Sequence, residues 1–279
     1  MLNVAFYGVR GSTPVSGPDV LRYGGNTSCV VLTGSTIDPI VLDLGTGLRR
    51  YGVAYGPTTP FKGTALVSHL HWDHVQGLPF FAPVLQPGAH LEVFGPSPVQ
   101  YANLRDAFDT FMQPPFFPVT IAQLAGQIDV IDCPDGDFKV GGAHVLAREV
   151  PHVGYTLGFR ITVGGVTIAY LPDHQQPTDG SMDVADSVLE LVEGVDLLIH
   201  DAQFLPEEFA RKADWGHCTT EYALMVARQG GAKRLALFHH DPLRSDADLD
   251  HLGACNRLAG QRLGIDVITA AEGLQVAFD

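Results

Sequence analysis

Positive charge is scarce in this chain: 17 Lys and Arg stand against 31 Asp and Glu in 279 residues, a formal net charge of −14. A broad, non-specific nucleic-acid surface needs clustered Lys and Arg, so none is expected. A small anionic substrate stays compatible, because bound metal cations can dominate a local field. Cysteine is rarer still. Cys29, Cys133, Cys218 and Cys255 are widely spaced without a CxxC pair, which excludes a disulfide framework and a thiolate zinc site and points to a reducing, cytoplasmic setting. No apolar run approaches the roughly 20 residues of a membrane span. The start, residues 1–7, has no basic segment and no long apolar core, so a signal peptide is not expected. Internal repeats and low-complexity tracts are missing too. The length suits one α/β domain over residues 1–279.

What the chain has instead is histidine, concentrated at one place. His69-Leu70-His71-Trp72-Asp73-His74 puts three imidazoles and a carboxylate into six residues, directly after the apolar run 64–68. Neutral imidazole nitrogen and carboxylate oxygen are donors that a borderline cation such as Zn²⁺ accepts. In one continuous helix His69 and His74 would point apart, since only positions three or four apart share a face. A tight loop at the end of a buried strand folds all four side chains toward one centre.

Apolar patterning and turn residues predict strands over 4–7, 29–32, 40–43, 90–94, 128–131, 138–140, 144–149, 156–163, 166–171, 196–199, 234–238, 267–268 and 274–277. Helices are predicted over 77–85, 98–112, 184–192, 219–229 and 247–263. Strand-rich and helix-containing stretches that repeat twice suit two packed sheets with helices outside. In the glycine-rich loops 8–14 and 23–28, Arg10 and Asn26 are candidates for pocket lining. Phe111, Phe116 and Phe117 lie among prolines; core packing is the favoured reading, a lid or subunit contact the other.

The HxHxDH run resembles the signature of the metallo-β-lactamase superfamily, metal-dependent hydrolases. The resemblance implies a four-layer αββα sandwich of two mixed β-sheets. It also implies that Asp43, at a strand end, braces the metal loop, although a turn-initiating aspartate is an equal alternative. Further candidate ligands are His152 after the strand 144–149, Asp173 after 166–171 and His239 after 234–238. A histidine near a turn is usually only a surface residue, but here every one of these apolar strands carries a ligand-type residue just past its end. The implied sets are His69, His71 and His152 for one divalent ion, and Asp73, His74 and His239 for a second, with Asp173 bridging. Zn²⁺ is the favoured metal; Mn²⁺ and Fe²⁺ accept the same donors.

Two segments narrow the branch. Leu197-Leu198-Ile199-His200-Asp201-Ala202 and Gly216-His217-Cys218-Thr219 resemble the LIHEAT and GHST segments of tRNase Z-like phosphodiesterases, a group that includes phosphoribosyl cyclic phosphate phosphodiesterases. The implied catalytic pair is His217, protonating the leaving oxygen, and Asp201, orienting it, with a hydroxide between the ions as nucleophile. His200 is expected behind the site and His240 facing away from it. The acidic balance and the lack of a Gly- and Lys-rich clamping arm favour a small or cyclic phosphodiester as substrate. The alternatives are a lactone or thioester hydrolase, a tRNA 3′-processing endonuclease, and a metal-bound sensor without activity. A homodimer is compatible with the resemblance.

Overall fold

Alternating burial along the first strand, with Val4, Ala5 and Phe6 covered and Asn3 and Tyr7 half-open, gives the first sheet one face toward the interior and one toward helices. The computed structural model describes residues 1–133 and 135–279. In chain order its strands are β1 (Leu2–Gly8), β2 (Cys29–Gly34), β3 (Ile37–Leu42), β4 (Lys62–Leu66), β5 (His90–Gly95), β6 (Gln127–Asp132), β7 (Gly136–Val140), β8 (Ala143–Glu149), β9 (Leu157–Val163), β10 (Val166–Leu171), β11 (Leu197–Asp201), β12 (Arg234–Phe238), β13 (Asp266–Thr269) and β14 (Gln275–Phe278). The helices are α1 (Gly47–Tyr55), α2 (Trp72–Val75), α3 (Leu104–Phe111), α4 (Asp186–Val192), α5 (Pro206–Lys212), α6 (Thr220–Gln229) and α7 (Asp246–Leu263).

The strands form two mixed seven-stranded sheets, ordered β14-β1-β2-β3-β4-β5-β6 and β13-β12-β11-β10-β9-β8-β7. A shared core of Val4, Phe6, Leu32, Leu42, Phe159, Ile168, Ile199 and Phe238 lies between them. Leu48 and Tyr51 of α1 and Leu104 and Phe108 of α3 cover the outer face of the first sheet. Val188 and Leu191 of α4 and Tyr222, Ala223 and Val226 of α6 cover that of the second. The result is an α/β sandwich of four layers, each buried aliphatic side chain stabilising it by roughly 1.5–3 kcal/mol.

What positions the site is strand direction. β3 to β6 run parallel in one sheet, β10 to β13 in the other, and β8 matches β10 because each is antiparallel to β9. The carboxyl ends of β3, β4, β8, β10, β11 and β12 therefore carry the site loops, as ligand sites in open α/β sheets do.

Several predicted helices change. Residues 77–85 form two 3₁₀ turns, Leu78–Phe80 and Ala82–Leu85, each with a proline in its first turn, where a continuing α-helix would lack an N–H and clash. The helix predicted over 98–112 starts only at Leu104, where the Asn103 side chain accepts from the Asp106 N–H at 2.8 Å. α1 and α5 have no counterpart among the predicted helices. Gly47 and Gly52 obscure the apolar period of α1, yet both are needed: a Cβ at Gly47 would stand 2.6 Å from the Gly8 nitrogen, and one at Gly52 3.0 Å from the Phe81 ring. Phe111 and Phe117 pack on the outer core of the first sheet, whereas Phe116 is 75% exposed.

Candidate active site

Asp43 leaves the end of β3 in a left-handed conformation, φ 59°, which an aspartate tolerates better than most residues. Its buried carboxylate accepts from the Ser68 N–H at 2.7 Å, the Ser68 hydroxyl at 2.9 Å, the Tyr170 hydroxyl at 2.8 Å and His74 Nδ1 at 2.7 Å. The chain leaving β4 is thereby tied to both sheets, and His74 is fixed with Nε2 as its free lone pair.

From that anchor the histidine-rich loop turns inward. One turn of helix, α2, buries Asp73 and His74 while Trp72 points out. His69 Nε2 and His71 Nδ1 stand 2.9 Å apart, and His152 Nε2 is 3.4 Å from His71 Nδ1. Both His69 Nε2 and His152 Nε2 lie 3.7 Å from Asp173 Oδ2. On the other side, His74 Nε2 is 3.3 Å from both His239 Nε2 and Asp73 Oδ2, and His239 Nε2 is 3.1 Å from Asp73 Oδ2. Asp173 Oδ1 faces this second group at 3.1 Å from His74 and 3.2 Å from His239. The seven side chains singled out in the sequence as ligands, from four separated strand ends, thus converge on one point between the sheets.

These donors fit divalent cations. Ligands at 2.0–2.1 Å around a tetrahedral ion stand roughly 3.3 Å from one another, the spacing found in both groups. Hydrogen bonding leaves one of these atoms unmet: Asp173 Oδ1 is buried without a hydrogen-bond partner. His239 donates from Nδ1 to Gln203 Oε1 at 2.8 Å, and His152 from Nδ1 to the Gly216 carbonyl at 2.6 Å, so both turn lone pairs inward. Burial disfavours charge on these histidines, holding His69 well below its ordinary value and His152 at about 4. Burial would raise Asp73 and Asp173, yet the imidazoles around them keep both carboxyls far below the usual range. His74 is pushed well up: burial opposes its charge, but Asp73, Asp173 and Asp43 outweigh it. Three clustered carboxylates thus demand positive charge here, a demand that divalent cations meet without protonating a ligand.

Beside the donors, His217 Nδ1 is 2.8 Å from Asp201 Oδ2. Asp201 also accepts from the N–H groups of Gln203 and His174, so its carboxylate is held on three sides. Burial opposes charge on His217, but Asp201 prevails and raises it to about 9. Asp201 therefore reaches the imidazole. His217 Nδ1 is also 3.7 Å from Asp173 Oδ2; its shorter bond to Asp201 commits that nitrogen there.

Arg10 and Asn26 do not line the cleft over the donors. Arg10 is fully buried and donates to the carbonyls of Gly24, Asp241 and Arg244, while Asn26 binds the Glu272 carboxylate. From the same first loop it is Ser12 that reaches the site, its N–H donating to Asp73 Oδ2 at 2.7 Å. His200 pairs with His174 and the Asp201 carbonyl behind the dyad, and His240 Nε2 bonds the Ala270 carbonyl. Ser12, Tyr170 and Gln203 escaped the sequence reading; each contacts a candidate ligand or its brace only through the fold. The cleft over the donors has a volume of about 410 Å³ and is walled by Ser12, Leu70, His71, Trp72, Asp73, Asp173 and His217. No helix is long and apolar enough to cross a membrane among the described residues.

Residues 54–240 match the beta-lactamase superfamily domain. Ribonuclease Z from Natronomonas pharaonis is 28% identical over 286 residues, covering 85% of this chain and 86% of its own. The metallo-β-lactamase fold protein YhfI from Bacillus subtilis superposes with a TM-score of 0.73 at 19% identity, over 99% of this chain and 98% of its own. Human tRNase Z, short form, does so with 0.67 at 22% identity over 99% of both chains.

These relatives correct the substrate expected from composition. A small or cyclic phosphodiester followed from the acidic balance and the lack of a clamping arm, and no broad nucleic-acid surface from the net charge of −14, yet curated relatives that span most of this chain are named as ribonucleases. The physical reason is that net charge sums the whole surface, whereas a nucleic acid would meet only the face around the site, where divalent cations, when bound, would dominate the field. By its matched domain and its two-sheet sandwich, the chain belongs to the beta-lactamase superfamily, in the metallo-β-lactamase fold that holds divalent metal ions.

Proposed function

We propose that this protein is a metal-dependent RNA phosphodiester hydrolase of the ribonuclease Z kind, acting on precursor tRNA 3′ ends. One observation carries the reading: the His217–Asp201 pair stands beside the donor cluster, where hydrolysis at phosphorus needs a proton for the departing oxygen. The Ribonuclease Z relative supports the choice of an RNA substrate. The shared core between the two sheets supports a single domain over residues 1–279.

In this reading His69, His71, His152 and Asp173 would hold one ion, and Asp73, His74 and His239 a second that Asp173 Oδ1 also faces, Zn²⁺ suiting a nitrogen and oxygen set without thiolate. Such ions, when bound, acidify water toward neutrality and neutralise phosphoryl oxygens. The remaining steps belong to the chain. Asp201 holds His217 by Nδ1 and leaves Nε2 as the nitrogen that gives its proton to the leaving oxygen. Ser12 holds Asp73 in place from the first loop, and Gln203 and Gly216 hold His239 and His152 in the tautomers that face the centre.

The test is the initial rate on a precursor tRNA and on bis(4-nitrophenyl) phosphate, for the metal-loaded protein and for His217→Ala. The variant should keep its metal and melting temperature and lose about 10²- to 10⁴-fold in kcat. A protein that cleaves neither phosphodiester while hydrolysing a lactone or thioester would refute the reading; a variant that loses its metal would make His217 a ligand.

A further inference from the structure

We infer that the uncharged aromatic groove next to the metal cleft seats an unstacked nucleobase adjoining the scissile phosphodiester, with Trp72 as its stacking face. The inference rests on the RNA-hydrolase reading above and names what binds beside the reacting phosphate.

Trp72 is the observation that calls for a role. It lies between His71 and Asp73 in the ligand run, and the single turn of α2 that buries Asp73 leaves the indole 79% exposed. Nothing in the packing of the fold requires an indole there. A groove of about 460 Å³ opens along this side chain and shares His71, Leu70 and Trp72 with the cleft over the donors. A ligand whose phosphate sits at the donors therefore enters the groove directly. Tyr101, Phe111 and Phe116 face it from the segment after β5, with Val99 90% and Phe116 75% exposed.

The chemistry of the lining selects the occupant. No Lys, Arg, Asp or Glu lines the groove, and no Lys or Arg lines the cleft. A second phosphate has no cation to meet in the groove. A flat, uncharged group with hydrogen-bonding edges suits it: its face meets Trp72, and its edge meets Gln100, Thr110 and the Tyr101 hydroxyl. Among groups attached to a phosphodiester, that is a nucleobase, and stacking on an aromatic side chain works for any base because every base has a π-face. An acyl chain would gain little from the polar groups at Gln100 and Thr110, and its apolar surface would stay open to water on one side.

The experiment uses the metal-loaded full chain, an oligoribonucleotide that it cleaves, and the same oligoribonucleotide made abasic at the nucleotide adjoining the cut. Trp72→Ala should raise KM on the intact RNA about tenfold or more with kcat nearly unchanged. That penalty should be the same at low and high salt, since stacking releases no counterions. Trp72→Phe should recover most of it. On the abasic RNA, wild type and Trp72→Ala should perform alike. Direct contact is read in Trp215→Phe protein, where Trp72 is the one remaining tryptophan: an uncleavable phosphorothioate oligoribonucleotide should quench its emission, and the abasic version should not. Equal Trp72→Ala penalties on both RNAs, no penalty, or a penalty that vanishes at high salt would overturn the inference while the RNA-hydrolase reading stands. Failure of wild type to cleave any RNA would overturn both, and a KM that tracks acyl-chain length in a carbon ester would assign the groove to that chain.

Discussion

Replacing Asp43 by alanine tests the brace on which the ligand loop depends. The substitution strands two buried donors, the Ser68 N–H and the Tyr170 hydroxyl, and leaves the His74 Nδ1–H only the Ser68 hydroxyl at 3.5 Å; that hydroxyl keeps His69 Nδ1 at 3.0 Å. Each stranded donor costs about 1–3 kcal/mol. Alanine at φ 59° adds about 1 kcal/mol that aspartate largely avoids. With partial relaxation the metal-free protein should lose about 4 kcal/mol, which in a chain of this size lowers the melting temperature by roughly 10 °C. His74 also loses the acceptor that fixes its tautomer, so metal affinity should fall about 10- to 100-fold. Asp43→Asn keeps one acceptor and tolerates the backbone, but turns an NH₂ toward donors, and should fall in between. Tyr170→Phe removes one bond of four and should lose only about 1 kcal/mol. Urea unfolding of the metal-free proteins and competition with a chromogenic chelator read the two effects. An Asp43→Ala protein within 1 kcal/mol of wild type that still binds metal as tightly would show that the contacts around Asp43 are not what orders the loop.

Removing divalent metal should abolish activity and lower the melting temperature while far-ultraviolet circular dichroism persists, because the sheet ladders form without the donors; at a thousandfold excess over Kd the metal contributes about 4 kcal/mol. An unchanged melting temperature and rate after dialysis against chelator would refute a metal role for the cluster. Gly216 and Gly154 form a matched pair, both at positive φ (93° and 88°). A Cβ at Gly216 would stand 2.4 Å from the His152 ring, whereas one at Gly154 meets nothing within 4 Å. Gly216→Ala should therefore lose metal and at least tenfold in rate, and Gly154→Ala only about 1 kcal/mol of stability. Equal effects on rate would place the importance of Gly216 in its backbone alone.

Much of the site could be read from the chain because its residues follow buried strands. Apolar runs such as 234–238 mark a strand without help from tertiary context, and a ligand-type residue immediately after one falls at the sheet edge. Helices were less legible. α1 hides its period behind Gly47 and Gly52, and the segment 77–85 reads as helical although Pro79 and Pro83 break it into 3₁₀ turns. The charge balance misled about the substrate, because a sum over the surface carries no position.

The sequence by itself determined the donor chemistry: which side chains offer imidazole nitrogen or carboxylate oxygen, and that they stand at strand ends, since both follow from residue type and local pattern. Only the tertiary structure decided how they are oriented. The left-handed turns at Asp43 and His239, the tautomers fixed by Gln203 and Gly216, the Ser12 N–H on Asp73, and the retirement of Arg10 and Asn26 to structural roles all depend on contacts across tens to hundreds of residues. The same is true of the groove beside Trp72, which forms where the loops after β4, β5 and β8 meet. Local pattern carries no information about such meetings, because they are set by how two sheets pack, and that packing is a property of the whole core.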